Sequence, residues 1–155
     1  MKVGIIGPSK LNEENKGVIS KVVKKLIDHS IYITADKGSV SEFAGKEYVA
    51  FGGKNLFSVV PLDDKEFGFD WVNTELGENI NCNTWRNQPE KLNEVTEALV
   101  CLGYSAGGLI EMAYSKWFNK KPVYVIKELV SGELPEDAIR SLDVRYVSYK
   151  DFKLE

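Results

Sequence analysis

The chain has 155 residues, of which 43% are hydrophobic and 28% are charged, and this composition excludes a disordered or fibrous protein. Because domains cluster at roughly 100 to 150 residues, we expect one domain over residues 1–155. The 20 basic and 23 acidic side chains give a net charge of -3, so no overall positive field favours a nucleic acid or an anionic membrane.

The amino-terminal segment and the cysteines indicate the compartment. The apolar run at residues 3–7 is too short for a signal peptide, and no segment approaches the roughly 20 apolar residues that span a bilayer. Cys82 and Cys101 are too few for a disulfide framework and have no partner at metal-ligand spacing. We therefore expect a cytoplasmic protein with no metal, no cofactor and no membrane partner.

The first part of the chain alternates apolar strands with helices. Strands are predicted at residues 3–7, 31–34 and 55–61, and the apolar run in the third is typical of a strand covered on both faces. A helix between the first two strands is predicted from apolar residues at helical spacing: Val18, Ile19, Val22, Val23, Leu26 and Ile27. A second helix is expected to begin near Ser39, because Ser39 and Glu42 have the spacing of a capping box.

Residues 62–83 have no clear period. Acidic residues are interspersed with aromatic ones, and Gly68 and Gly77 interrupt any helix. We predict a long loop with one short strand near residues 79–82. Such a loop is either a functional lid or a surface excursion whose aromatic side chains cover the edge of the core, and the sequence leaves both interpretations open.

The remainder of the chain returns to the earlier alternation. A helix is predicted at residues 84–97, where Pro89 limits the first part to a turn or a helix start. After it come a strand at 98–102, a turn at 103–108 that opens a helix, a strand at 123–126, a short helix at 136–142 and a strand at 144–147. This alternation predicts an α/β fold, a three-layer Rossmann-like domain with a mostly parallel sheet and helices on both faces.

The corners that follow the strands supply the candidate binding residues. In a parallel sheet these corners meet at one edge, where a helix that begins there offers unpaired N–H groups to an anion such as phosphate. The candidates for phosphate or substrate binding are Gly7, Pro8, Ser9, Lys10, Gly38, Gly103, Tyr104, Ser105, Ala106, Gly107 and Gly108. Glu111 lies just beyond them as a candidate site carboxylate, or as a residue that only complements the helix dipole.

Several of these segments match the pattern of one known family over nearly the whole chain. The matching residues are the Gly-Pro-Ser turn at 7–9, the turn and helix at 38–45, Pro61, Arg86, the run at 97–100 and Lys-Pro-Val at 121–123. On these residues the chain resembles the Lonely Guy or "lysine decarboxylase-like" nucleotide phosphoribohydrolases, within the Rossmann-like group that includes the DNA-processing protein DprA. The family signature Gly-Gly-x-Gly-Thr-x-x-Glu ends here on Glu111.

The signature is degenerate in this chain. Tyr104 and Ser105 stand in place of its paired glycines, and Gly108 stands in place of its threonine. The resemblance implies hydrolysis of the N-glycosidic bond of a nucleoside 5′-monophosphate, with Glu111 as the catalytic carboxylate and Arg86 positioning the sugar or the leaving base. It also implies a homo-oligomer, a dimer or higher, to which exposed apolar side chains such as Trp117 and Phe118 would contribute.

Three other interpretations stay open. The lost glycines and threonine favour a non-catalytic module that binds or senses a nucleotide. Asp36 with Glu42 or Glu111 fits a nucleoside deoxyribosyltransferase, although Asp36 also fits a local Asx turn. DNA handling by analogy with DprA needs a positive surface stripe, which the net charge does not indicate. The sequence does not decide between an N-glycosidic hydrolase and a binding protein, nor does it identify the base.

Overall fold

Seven strands form one sheet. The computed structural model describes residues 1–154, and its strands are β1 (Lys2–Ile6), β2 (Ser30–Ile33), β3 (Leu56–Val60), β4 (Glu78–Asn81), β5 (Ala98–Cys101), β6 (Pro122–Ile126) and β7 (Asp143–Val147). Their order in space is β4-β3-β2-β1-β5-β6-β7. Every neighbouring pair is parallel, so the expected mostly parallel sheet is parallel throughout its seven strands.

Helices connect successive strands and cover both faces of the sheet. They are α1 (Lys16–Lys24), α2 (Val40–Ala50), α3 (Gln88–Val95), α4 (Ala106–Tyr114) and α5 (Glu136–Ile139). Short 3-10 turns occur at Glu13–Asn15, Trp85–Asn87, Ser115–Trp117 and Lys127–Leu129. Within residues 1–154, no helix has the length and apolar character needed to cross a bilayer.

Two apolar clusters, one on each face of the sheet, hold the layers together. On one face, Ile19 of α1 and Ala44 of α2 pack with strand residues such as Ile5. On the other face, Leu92 of α3 and Met112 of α4 pack with strand residues such as Val123. Successive strand residues point to opposite faces, and both faces are covered, which explains the unbroken apolar run of β5.

The crevice between β1 and β5 is the point at which the order of the strands reverses. From β1 the chain builds outward through β2, β3 and β4, and it then returns to place β5 on the other side of β1. The register pairs Ile6 with Cys101, so the corners after these two strands lie side by side. In sheets of this kind, connections diverge at the reversal point and leave an open crevice at the carboxyl ends of the strands.

Serine side chains begin the two helices nearest that crevice. Ser39 caps α2, and its hydroxyl accepts a hydrogen bond from the Glu42 N–H at 3.1 Å. The Glu42 carboxylate accepts from the Gly38 N–H at 3.0 Å, one residue earlier than an ideal capping box requires. Ser105 caps α4 in the same way, accepting from the Gly108 N–H at 3.0 Å. The predicted capping of α2 is confirmed.

The predicted helix at residues 84–97 is shorter than expected. Residues 85–87 form a 3-10 turn, and α3 runs only from Gln88 to Val95 with Pro89 in its first turn. Pro89 is tolerated there because the first helical N–H groups have no partner within the helix. The last helix, expected at 136–142, ends at Ile139, and the short strand expected near 79–82 is β4.

Glycines allow the two central corners to approach each other. A Cβ on Gly103 would lie 2.8 Å from the Pro8 ring, and Gly103 has a φ of +135° that other residues rarely adopt. A Cβ on Gly7 would lie 2.9 Å from Cγ1 of Val40. Gly7 and Gly103 therefore set how closely the β1 corner, the β5 corner and the start of α2 meet.

Substituting Gly103 tests this packing. We expect Gly103→Ala to lower the free energy of unfolding by about 2 kcal/mol, because the methyl group is strained at this φ and meets Pro8. The matched control is Gly17→Ala in α1, where a Cβ meets nothing within 4 Å. That variant should be stabilised by about 0.5 to 1 kcal/mol, since alanine favours a helix over glycine. Chemical denaturation measures both, and equal effects of the two substitutions would contradict the assignment.

Candidate functional site

Two adjoining cavities lie beside α4, the polar one in the crevice between β1 and β5 and the apolar one between α4 and the start of α3. The polar cavity, of about 260 Å³, lies between Gly7 and Ser9 after β1, Thr34 and Asp36 after β2, and the first turn of α4. The apolar cavity, of about 280 Å³, is walled by Trp85, Pro89, Ile110 and Tyr114, together with Arg86. Gln88, Gly107 and Glu111 line both cavities, so the two cavities adjoin at these residues.

The first turn of α4 presents backbone donors to the polar cavity. Ser105 accepts from the Gly108 N–H, and its own hydroxyl donates to the Gly7 carbonyl at 3.3 Å. The N–H groups of Ala106 and Gly107 have no acceptor among residues 1–154. Unpaired first-turn amides and the positive end of the helix dipole form a favourable environment for an anion.

Gly107 keeps this environment open. A Cβ built on Gly107 would meet no atom within 4 Å, whereas one on Gly108 would lie 3.1 Å from the Ser105 hydroxyl. Because a Cβ on a helix points toward the N-terminus, a side chain at Gly107 would project toward the free amides. The absence of that side chain leaves room for a ligand beside the helix end.

Glu111 lies between the two cavities with one carboxyl oxygen enclosed. Its Oε2 is inaccessible to solvent and has no hydrogen-bond partner within residues 1–154. Burial raises the pKa of Glu111 to about 8, and the nearby negative charge of Asp36 adds to the increase. Near neutral pH the Glu111 side chain is therefore mostly a neutral carboxylic acid, which has one donor and one acceptor oxygen.

Asn93 holds the helix that carries Glu111. Its Nδ2 donates to the backbone carbonyl of Glu111 at 2.8 Å and to that of Pro89 at 3.0 Å. The bond to Glu111 joins α3 to α4 behind the site, and the bond to Pro89 lies within α3. Asn93 is buried, so its amide acts as a fixed connection rather than a surface contact.

Asp36 belongs to the same polar cavity. Its Oδ1 accepts a hydrogen bond from the Thr34 hydroxyl at 3.1 Å. Burial raises the pKa of Asp36, hydrogen bonds oppose the increase, and the negative charge of Glu42 adds to it. The structure thus brings Asp36 and Glu111 together, whereas Glu42 is directed to Gly38 and Asn73.

Arg86 lines the apolar cavity but its charge is already engaged. The guanidinium forms an ion pair with Glu66 and lies 4.8 Å from the ring centroid of Trp85. The hydrogen bond to Glu66 raises the pKa of Arg86 further, so Arg86 stays charged at any ordinary pH. Arg86 is therefore both a member of a stacked surface pair and a part of the cavity wall.

The excursion at residues 62–83 supports that wall through one carboxylate. Asp64 accepts from the N–H groups of Glu66 and Phe67, each at 2.9 Å, and from that of Trp85 at 2.8 Å. These backbone hydrogen bonds lower the pKa of Asp64. The Phe67 ring then packs edge-on against Trp85, with centroids 5.6 Å apart. This segment covers the edge of the core, and its interpretation as a lid stays a prediction.

The predicted site residues separate into two groups. Those that line the cavities are Gly7, Ser9, Ser105, Ala106, Gly107, Gly108, Glu111 and Arg86. Those that line neither cavity are Pro8, Lys10, Gly38, Gly103 and Tyr104. Pro8 and Gly103 pack on each other, Gly38 precedes the cap of α2, the Tyr104 hydroxyl donates to the Gly132 carbonyl, and Lys10 is exposed.

Six cavity residues are not among the predicted site residues: Thr34, Trp85, Gln88, Pro89, Ile110 and Tyr114. The sequence predicts Thr34 only as the end of a strand and Gln88 only as part of a longer helix. A signal for Gln88 was present, because Pro89 indicates a helix start and the residue before it is then set at the amino end of a helix. Thr34 carries no local signal, since only the strand order brings it beside α4.

Comparison with known proteins identifies the fold. No protein-family model and no curated protein matches the sequence. Among solved structures, the Moco carrier protein from Chlamydomonas reinhardtii is 18% identical with a TM-score of 0.76, covering 96% of this chain and 90% of that one. The molybdenum cofactor binding protein from Rippkaea orientalis is 15% identical with a TM-score of 0.76 and the same coverage.

A third solved structure comes from a longer protein. DNA processing protein A from Streptococcus pneumoniae is 15% identical with a TM-score of 0.62, covering 99% of this chain and 62% of that one. The chain has a Rossmann-like three-layer α/β fold. At these identities the likeness concerns the fold alone, and it confirms the predicted fold class.

The enclosed carboxyl predicts an unusual pH dependence of stability. Between its ordinary pKa of 4.5 and the folded value of about 8, Glu111 stays protonated in the folded chain but ionises in the unfolded one. The folded state thus binds more protons in this window, and stability falls as pH rises through it. Glu111→Gln removes this loss, so its stability relative to the wild type should increase by about 2 to 4 kcal/mol from pH 4.5 to pH 8.

Chemical denaturation at several pH values measures this difference. The matched control is Glu14→Gln, which makes the same chemical change at an exposed position. A difference between Glu111→Gln and the wild type that stays constant with pH would show that the Glu111 carboxyl is ionised in the folded protein.

Proposed function

We propose that the protein binds a small phosphorylated molecule with a heterocyclic ring, a nucleotide or a nucleotide-like cofactor, across the two cavities. The observation that carries the proposal is that a polar cavity and an apolar cavity adjoin beside α4. The free N–H groups of Ala106 and Gly107 lie at the polar cavity, and aromatic and aliphatic side chains line the apolar cavity. A nucleotide has the same division, with an anionic group at one end and a flat apolar ring at the other.

The polar half suits a phosphate group. Its donors are backbone N–H groups at a helix N-terminus and the hydroxyl of Ser9, which is exposed at the cavity. Protonation of Glu111 removes one negative charge that would otherwise repel the phosphate. Backbone N–H groups at a helix N-terminus can bind an anion without a lysine or arginine. The proposal therefore does not require Lys10, which lines neither cavity.

The apolar half suits a planar ring. Trp85 and Tyr114 offer aromatic surfaces, and Pro89 and Ile110 offer aliphatic ones. Ile110 and Trp85 are partly exposed, which leaves apolar surface for a ligand to cover. The structural relatives support this interpretation, because two of them are described as a carrier and a binding protein of the molybdenum cofactor.

Removing the space beside the amides tests the phosphate half. We expect Gly107→Ala to fold normally and to weaken the binding of nucleoside 5′-monophosphates by about tenfold, since the methyl group projects toward the free amides. Gly17→Ala in α1 is the matched control and should bind as the wild type does. Isothermal titration calorimetry with a panel of nucleoside monophosphates measures both. Unchanged affinity in Gly107→Ala would place the phosphate elsewhere.

A second candidate is hydrolysis of the N-glycosidic bond, as in the Lonely Guy phosphoribohydrolases. The position of Glu111 favours it, because this residue lies at the junction of the two cavities, where the bond between sugar and ring of a bound nucleotide would lie. A carboxyl protonated near neutral pH suits a general acid. The C1′–N bond would break as Glu111 gives its proton to the leaving base, and water would then supply hydroxyl to C1′ and return a proton to Glu111.

Product analysis separates the binding, hydrolase and transferase candidates. For a hydrolase, nucleoside monophosphates yield free base and ribose 5-phosphate, and Glu111→Gln lowers the rate at least 100-fold while Glu14→Gln has no effect. For a deoxyribosyltransferase, to which Asp36 would contribute, base appears only from deoxyribosides and a second base accelerates it. Binding without release of base in any sample supports the non-catalytic module.

The oligomeric state stays a prediction. Trp117 is 69% exposed in the 3-10 turn that follows α4, and Ile110 of α4 is also exposed. These apolar side chains support a homo-oligomer formed through the helices that flank the site. Phe118 contributes less than expected, because it is half-buried and the Lys121 ammonium group lies over its ring. A monomeric sedimentation profile at micromolar concentration would contradict this prediction.

A further inference from the structure

Gln88 presents an acceptor oxygen to the junction of the two cavities. Its Nε2 donates to the backbone carbonyl of Val59, at 2.8 Å, near the end of β3. This bond determines the orientation of the amide, because a carbonyl oxygen accepts only from the NH₂ end. Oε1 is therefore the end left free, and it accepts no hydrogen bond from residues 1–154.

Glu111 supplies the second polar group at the same junction. Gln88, Gly107 and Glu111 line both cavities, and Gly107 has no side chain, so the side-chain polar atoms there are the Gln88 oxygen and the Glu111 carboxyl. The enclosed Oε2 of Glu111 is unpaired among the described residues. The Gln88 oxygen needs a partner that donates a hydrogen bond, and the neutral Glu111 carboxyl needs one that can donate or accept, since a desolvated polar group without a partner weakens binding.

The part of the ligand that reaches this junction is the linker between its phosphate and its ring. With phosphate at the amides of Ala106 and Gly107 and the ring near Trp85, a linker must pass Gln88 and Glu111. In a ribonucleotide this linker is the sugar, whose neighbouring hydroxyls each carry one O–H donor. A hydroxyl both donates and accepts, so one can donate to the Gln88 oxygen while its neighbour pairs with the Glu111 carboxyl, whereas a deoxy sugar leaves one of these two groups unpaired.

We infer that Gln88 and Glu111 make the site selective for a phosphorylated ligand with a vicinal diol in its linker, such as a ribonucleotide, over the deoxy form. The inference rests on the proposed function, because it assumes that the ligand spans both cavities. Gln88 is the specificity-determining residue: its amide is held in place from behind by Val59, and it offers one fixed oxygen. The selectivity comes from the cost of an unpaired acceptor rather than from a steric block.

The test compares AMP and GMP with their 2′-deoxy and 3′-deoxy forms by calorimetry on the wild-type protein, with free base monitored in the same samples. We expect at least one deoxy form of each nucleotide to bind about tenfold more weakly than the ribonucleotide. Deoxy forms that bind as tightly as AMP and GMP would overturn the inference while leaving the proposed function intact. If none of the nucleotides binds, both the proposed function and the inference are wrong.

A substitution of Gln88 tests whether this residue is responsible for the preference for ribonucleotides. Gln88→Met keeps the length of the side chain but removes both ends of the amide, and the preference for the ribonucleotide should fall below about twofold. A merely structural defect would lower the affinity for AMP and deoxy-AMP alike and leave their ratio unchanged, which would overturn the role of Gln88. The matched control is Glu90→Gln, exposed on the same helix and outside both cavities, which should keep the wild-type ratio.

Discussion

The free amides at the start of α4 are the constraint on which the arrangement of this site depends. They point into a crevice that exists because the strand order reverses between β1 and β5, where the connections that follow these two strands diverge. Ser105 satisfies Gly108 and leaves Ala106 and Gly107 without acceptors. The glycines of both corners allow the corners to approach closely, and the missing side chain at Gly107 leaves the space beside the free amides open.

Glu111 shows how the same geometry changes the chemistry of a side chain. One turn along α4 from the free amides, its carboxyl is too enclosed to ionise readily, and Asp36 adds a like charge nearby. A protonated carboxyl can donate to a ligand or to a leaving group, whereas a carboxylate could only accept. In the hydrolase candidate the proton of Glu111 passes to the leaving base, and in the binding candidate it stays on the carboxyl. Asn93 holds the backbone of Glu111 in place in both cases.

The fold and about half of the site follow from local sequence patterns. The β5 run, the small-residue corner and Glu111 are contiguous, so their spacing already predicts a helix that begins beside a carboxylate. The remainder depends on contacts between distant residues. The orientation of the Gln88 amide depends on its hydrogen bond to Val59, and the guanidinium of Arg86 is paired with Glu66. Thr34 and Asp36 are neighbours in sequence, but only the strand order places them beside α4. Lys10 lines neither cavity, because charge and proximity in sequence do not determine which way a corner turns.

The two cavities are built by separate parts of the chain, and Asp64 attaches the segment at residues 62–83 to the apolar one. The polar half is built on the sheet and on α4, but the outer wall of the apolar half is attached through one carboxylate to a segment outside the regular layers. Insertions or replacements within that segment would reshape the apolar cavity without disturbing the polar one. Under the proposed function, such a scaffold could change the heterocycle that it prefers during evolution and retain its phosphate site.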